Sequence, residues 1–192
     1  MLYLVRHGRT AQNAAGRLLG RMDVPLDELG RRQASALGGV ERLSGAVRVV
    51  SSPLARARDT AAALGPPVTL DDRWAEIDYG VYDGAELSSA GELWARWDQD
   101  LAYTPPGGES IAAVGQRIRK ACDEMWEEAV ESDVVVVSHV SPIKAAVAWA
   151  LAVDDGICWR TFLDVASVTV VGSSRGSPTL RSFNEIHHRP SE

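Results

Sequence analysis

Apolar and polar positions along the 192-residue chain follow two rhythms. The first is short, largely apolar runs that end abruptly in polar residues. Leu2 to Val5 stops at Arg6-His7-Gly8, Val47 to Val50 at Ser51-Ser52-Pro53, and Val134 to Val137 at Ser138-His139. Runs of this length read as buried strands of a parallel sheet. Val165 to Val171 and Leu180 to Phe183 read as later strands. The second rhythm spaces apolar residues three or four apart, as one face of a helix requires. It predicts a helix over about 26–43, with Asp27 as N-cap and Leu29, Gln33, Ala36, Leu37 and Val40 on its inner face. A second helix is expected from Pro53 to about Leu64, where Pro66 and Pro67 stop it. Residues 86–103 are expected to be helical, followed by a Pro-Gly loop over Thr104 to Gly108. Ile111 to Val130 forms a long amphipathic helix, and Pro142 opens a last helix to about Val153.

Strand–helix alternation predicts the α/β class: a three-layer α/β/α sandwich around a mostly parallel central sheet. The length suits a single domain over 1–192. Composition is that of an ordinary globular protein, with 45% hydrophobic and 24% charged residues. The formal net charge of −6 argues against a broad surface for nucleic acid or anionic membrane. Cys122 and Cys158 are far apart and read as reduced thiols. No apolar run reaches the roughly 18 residues of a membrane helix, and the N-terminus turns polar too early for a signal peptide. The expected location is cytoplasmic.

In parallel α/β sheets, ligands bind beyond the carboxyl ends of the strands. If the three strands ending at His7, Ser52 and His139 are parallel neighbours, one rim holds Arg6 and both histidines, with Arg56 one turn into the following helix. Arginines grip phosphate oxygens in bidentate fashion. The amides of the helix after Pro53 add a positive dipole end. Either His7 or His139 can serve as a nucleophile toward phosphorus. A carboxylic acid is then needed near the leaving group.

Arg6-His7-Gly8-Arg9-Thr10, followed by Asn13, resembles the RHGxT…N signature of the histidine phosphatase superfamily, the phosphoglycerate-mutase-like group. Gly20 to Leu26 with Gly30 and Gln33, Ser51 to Ala57 with Thr60, and Glu76 to Gly80 with Gly84 resemble its next blocks in order. So do Gly107-Gly108-Glu109-Ser110, Val137-Ser138-His139, and the C-terminal Asn184 and His188. The resemblance implies a phosphoglycerate-mutase-like fold and a branch 1 phosphatase. It makes His7 the nucleophile and Glu76 the proton donor, with Asp78 a rival two residues away. It assigns the phosphate to Arg6, Arg56 and His139, assisted by Asn13, Gly20 and the N–H of Val140. It implies no metal and no cofactor. The expected partner is a small phosphomonoester, with a homodimer possible and neither nucleic acid nor membrane involved.

Arg9 stands where the family often has Glu or Gln, Leu19 where Gln or Thr often reaches toward substrate, Val140-Ser141-Pro142 in place of Gly-Gly, and Lys144 in place of Arg. These departures bear on specificity. Two alternatives remain beside hydrolysis: a phosphoglycerate mutase, for which the chain is short, and a non-catalytic phospho-ligand sensor. A nucleotide-binding Rossmann protein is disfavoured because no GxGxxG follows the first strand. Trp94 or Trp97 are candidates to line a substrate pocket, the other tryptophans core. An acid that must carry a proton and a histidine that must be neutral predict a bell-shaped pH profile with a mildly acidic optimum.

Overall fold

The computed structural model describes residues 1–65 and 67–188. Four parallel strands lie side by side: β3 (Val68–Leu70), β2 (Arg48–Ser51), β4 (Val134–Ser138) and β1 (Leu2–Arg6). Two antiparallel strands, β5 (Val168–Ser174) and β6 (Ser177–Glu185), extend the sheet from β1, giving the order 3-2-4-1-5-6. The helices are α1 (Ala11–Ala14), α2 (Glu28–Gly38), α3 (Glu41–Ser44), α4 (Ala55–Ala62), α5 (Gly91–Gln99), α6 (Ile111–Glu131) and α7 (Val140–Leu151).

The central strands are apolar on both sides because both sides are covered. Leu2, Leu4, Val134 and Val136 point to one face and pack with Leu93, Ile118, Met125 and Ile143 of α5, α6 and α7. Tyr3, Val5, Val135 and Val137 point to the other, against Leu37, Leu43, Ala57 and Ala61 of α2, α3 and α4. The sheet thus forms the middle of three layers, as the sequence predicts.

Several boundaries differ from the sequence reading for local reasons. The expected helix over 26–43 is two helices. Asp27 does cap α2, accepting from the Gly30 N–H at 2.7 Å. The break falls at Gly39 and Val40, where Val40 turns extended. Gly38 there abuts the Ala63 carbonyl so closely that a Cβ would stand 2.2 Å from it. The helix expected from Pro53 begins at Ala55, and its first amide is met by Asp23 Oδ1 at 2.6 Å. The segment from 86 to 103 is helical only over Gly91–Gln99, preceded by one 3₁₀ turn at Leu87–Ser89. The last helix starts at Val140, so Pro142 lies inside its first turn, where no N–H partner is lost. Strand β3 has no counterpart in the sequence reading: it has three residues, sits at an edge and is largely exposed. Pro66 lies outside the described residues.

Among the described residues, no helix is long and apolar enough to cross a membrane.

Candidate active site

Register delivers the rim. Arg6 stands opposite Ser138 in the β1–β4 ladder, and Ser51 opposite Val137 in the β2–β4 ladder. The chain continues each ladder by one bond, from the His7 N–H to the Ser138 carbonyl and from the Ser52 N–H to the Val137 carbonyl, both at 3.0 Å. His7, Ser52 and His139 therefore leave the sheet together, and the two imidazole rings lie with centroids 5.0 Å apart.

Arg56 joins them from α4. Its Nε reaches His7 Nε2 at 3.3 Å and His139 Nδ1 at 3.2 Å. Its Nη atoms donate to the carbonyls of Met22 and Gly20, each at 2.8 Å. Those carbonyls belong to a loop clamped by Asp83, whose two oxygens accept the N–H groups of Gly20 (2.7 Å) and Met22 (2.9 Å). Arg56 and His139 are completely buried, whereas His7 borders an open cavity of about 510 Å³.

The two histidines are wired differently. His7 Nδ1 lies 2.7 Å from the carbonyl of Gly8, so Nδ1 carries the proton and Nε2 keeps its lone pair. His139 Nε2 lies 2.7 Å from Ser52 Oγ. Burial, reinforced by Arg56 and Arg6, holds His7 well below the ordinary histidine range. Burial and Arg56, with lesser contributions from His7 and Arg6, do the same for His139. Burial lowers Arg56 itself to about 10. Arg6 donates from Nη1 to the Leu163 carbonyl at 2.6 Å, while its buried Nε has no hydrogen-bond partner among the described residues.

Glu76 also borders the cavity, buried, at the N-terminus of α7. Its Oε2 accepts the Val140 N–H at 3.0 Å, and its Oε1 accepts those of Ser141 (3.1 Å) and Ile77 (2.9 Å). A carboxylate suits the positive end of a helix. The Val140 N–H, assigned to phosphate from the sequence, is thus engaged by Glu76, and the Gly20 N–H by Asp83. The α4 amides expected to attract phosphate begin with one already bound to Asp23. Asp78 turns away, accepting from the Gly80 N–H at 2.8 Å. Asn13 borders the cavity, and its Oδ1 accepts from the backbone and hydroxyl of Thr10 at the start of α1.

Sequence reasoning missed Asp83 and the wall at Trp159 and Phe162. The Asp83 clamp joins residues more than sixty positions apart, which periodicity cannot register. Trp159 and Phe162, three apart in the mixed stretch from Ile157 to Leu163, are the one sequence signal for the wall. Trp94 and Trp97 both line the cavity, while Trp74 is core. Asp154 caps the 3₁₀ turn at Asp155–Arg160, as a loop residue would.

The model of the histidine phosphatase superfamily (branch 1) matches residues 2–186. This chain belongs to that family. It is 39% identical over 194 residues to a bifunctional protein of Mycobacterium tuberculosis, covering 96% of this chain and 53% of the relative. The chain therefore spans about half the length of those mycobacterial relatives. It is 34% identical over 165 residues to the probable phosphoglycerate mutase GpmB of Salmonella paratyphi C, covering 78% of this chain and 77% of that one. Among solved structures, it superposes on a mutant phosphoserine phosphatase of Entamoeba histolytica in complex with phosphoserine. The TM-score is 0.89 at 25% identity, covering 97% of this chain and 98% of that one. A mycobacterial glucosyl-3-phosphoglycerate phosphatase in complex with VO3 gives 0.83 at 31% identity, covering 95% and 98%. Family and neighbours together support a phosphoglycerate-mutase-like fold of the kind that carries phosphatase or mutase-like activity.

Proposed function

We propose that this chain is a single histidine phosphatase domain that hydrolyses a small phosphomonoester through phosphohistidine, without a metal. The observation that carries this reading is the asymmetry of the two histidines. His7 borders the cavity with Nε2 unprotonated and accepting only the shared Arg56 Nε–H at 3.3 Å among the described residues, whereas His139 is sealed and keeps its Nε2 on Ser52.

In the first step, His7 Nε2 attacks phosphorus while the bond to the alcohol oxygen breaks. Glu76 gives its proton to the departing alkoxide. In the second step, Glu76 takes a proton from water, the hydroxide attacks phosphorus, and the P–N bond breaks. Inorganic phosphate leaves and His7 is restored. Charge on the transferring group is met by Arg6, whose buried Nε lacks a partner, and by Arg56 and His139 once they turn toward it. Asn13 assists from the cavity wall, with Gly20 and the Val140 N–H as further phosphate contacts where they exchange their present carboxylate partners. Glu76 is preferred to Asp78 as donor because Glu76 lines the cavity and Asp78 is not among the residues that do.

The test is phosphate release from p-nitrophenyl phosphate in the presence of EDTA, by the unmodified protein and by His7→Ala. Turnover lost only in the variant is the expected result. Loss of turnover with EDTA alone contradicts the metal-free reading. The likeness to a probable phosphoglycerate mutase supports a second reading. Conversion of 3-phosphoglycerate to 2-phosphoglycerate, primed by 2,3-bisphosphoglycerate and faster than phosphate release, would establish it.

A further inference from the structure

We propose that the substrate's alcohol portion carries a flat, apolar ring system that lies against Trp94, Trp159 and Phe162, a proposal that rests on the phosphatase reading. The cavity that begins at His7 and Glu76 ends at these aromatics. At about 510 Å³ it has the size of a site for a drug-sized molecule and far exceeds a three-carbon chain.

The aromatic wall is built outward from the core. Trp97 is buried, with its indole N–H on the Tyr103 carbonyl at 2.8 Å. Trp94 packs on it at 5.8 Å between ring centroids and meets the edges of Tyr79 (6.3 Å) and Trp159 (6.1 Å). Trp159 remains 38% exposed and Phe162 72% exposed, at the rim of the same cavity. Large aromatics left open beside a concave site signal a ligand surface. Ring edges and faces of this kind favour another ring in offset or edge contact.

The wall is anchored. Asp155 pairs with Arg119 of α6 at 2.8 Å, and Lys144 of α7 donates to the Cys158 carbonyl at 2.8 Å. Both bonds hold the 3₁₀ turn that presents Trp159, so the surface exists before ligand arrives.

The charged groups along the cavity do not favour a carboxylated alcohol such as serine or glycerate. Arg9 is paired with Asp27 at 2.8 Å, Arg17 donates to the Gly84 carbonyl at 2.9 Å, and Lys144 is held by the Cys158 carbonyl. Asp164 also borders the cavity, its Oδ2 accepting from Asn184 Nδ2 at 2.9 Å, and its charge opposes a second anionic group near it. A small carboxylated alcohol would meet cations that already spend part of their donors on protein acceptors, and would leave the rings facing water.

The experiment compares kcat/KM for 2-(1-naphthyl)ethyl phosphate, sn-glycerol 3-phosphate and O-phosphoserine. All three release primary alcohols, so their ratio reports recognition of the alcohol more than leaving-group quality. The naphthyl ester is expected to lead by about thirtyfold, the scale of burying one ring system. Trp159→Ala should cut that ratio by about tenfold through KM, and Trp159→Phe should restore most of it. Calorimetry with (1-naphthyl)methylphosphonate against methylphosphonate reads the same subsite without turnover. Equal kcat/KM for the three esters, with no preference between the phosphonates, overturns the proposal while leaving the phosphatase reading intact. A clear preference for the naphthyl phosphonate with no hydrolysis of any ester keeps the ring subsite and overturns the phosphatase reading.

Discussion

The two ends of the cavity are built by opposite means. At the His7 end, polar atoms are linked by directed bonds of 2.6–3.3 Å, and Arg56 and His139 are completely buried. At the Trp159 end, contacts are ring against ring at about 6 Å and the surface is open. Buried polar groups are costly unless satisfied, so the first end tolerates little change. Apolar contacts are non-directional, so the second can accept many shapes. Chemistry and selectivity are thus separated in space, and substitutions should sort by which end they touch.

The largest effect is expected at His7. His7→Ala should lower kcat at least about 10⁴-fold on every ester, as loss of a nucleophile does. It should also abolish acid-labile phosphorylation of the protein in a denaturing quench. An equally labelled variant would undo the contrast between the histidines, because it would move the nucleophile to the sealed one.

Glu76→Gln comes next. It should cost about 10²–10⁴-fold with alkyl phosphates and much less with p-nitrophenyl phosphate, whose leaving group needs no proton. Steady-state rates on the two classes measure the difference. Equal losses on both would argue that Glu76 acts through its bonds to α7 alone.

Asp83→Asn tests the clamp behind Arg56. One carboxylate now serves two amides, and an amide side chain offers only one acceptor oxygen. A fall of about tenfold in kcat/KM is expected, with weaker vanadate binding and little change in the ratio of naphthyl to glycerol esters. A shift in that ratio would show that the two ends are coupled.

Stability should follow pH through the buried histidines. Their pKa values are depressed in the folded state, so below about 6.5 the unfolded chain binds more protons and stability falls as pH falls. A loss of order 1–2 kcal/mol per histidine is expected between pH 6.5 and 5. Thermal unfolding of the unmodified protein and of His139→Gln checks it, the variant showing a shallower decline. The same depression keeps His7 neutral in mild acid, which favours activity there. The smallest effect is expected from Asp155→Asn. It weakens one partly exposed ion pair behind Trp159, and should change ester selectivity about twofold without changing the glycerol phosphate rate measurably.

Much of the polar end is legible in the sequence, because it hangs on strand ends. Four valines from Val134 can only be a covered strand, and the residues just past such a strand fall at the binding rim. Asp27 is legible as a cap because N-caps act over three residues. The features that escape are set by distant partners. The first helix ends at Gly38 with Gly39 as its cap although the periodicity continues through both, and Gly38 lies against the Ala63 carbonyl, a contact from a distant segment. The N–H of Val140, and Gly20 as a residue, are expected at the phosphate, and carboxylates from Glu76 and Asp83 engage the amides of both. The aromatic wall is half visible in Trp94 and Trp97. Its outer part depends on Asp155 and Lys144 holding a turn that carries no periodic signal.

Arg56 has a kinetic consequence. Each of its three nitrogens already donates, Nε to two imidazoles and the Nη atoms to carbonyls of the Gly20 loop. An oxyanion that takes those Nη donors must displace the carbonyls, so capture by them is an exchange of ligands on the guanidinium and not a simple addition. Encounter with the cavity mouth can run at the diffusional rate, whereas seating at Arg56 must wait for the loop to let go. Binding should therefore show two relaxations, a fast concentration-dependent one and a slower one that saturates, with Asp83 setting the second.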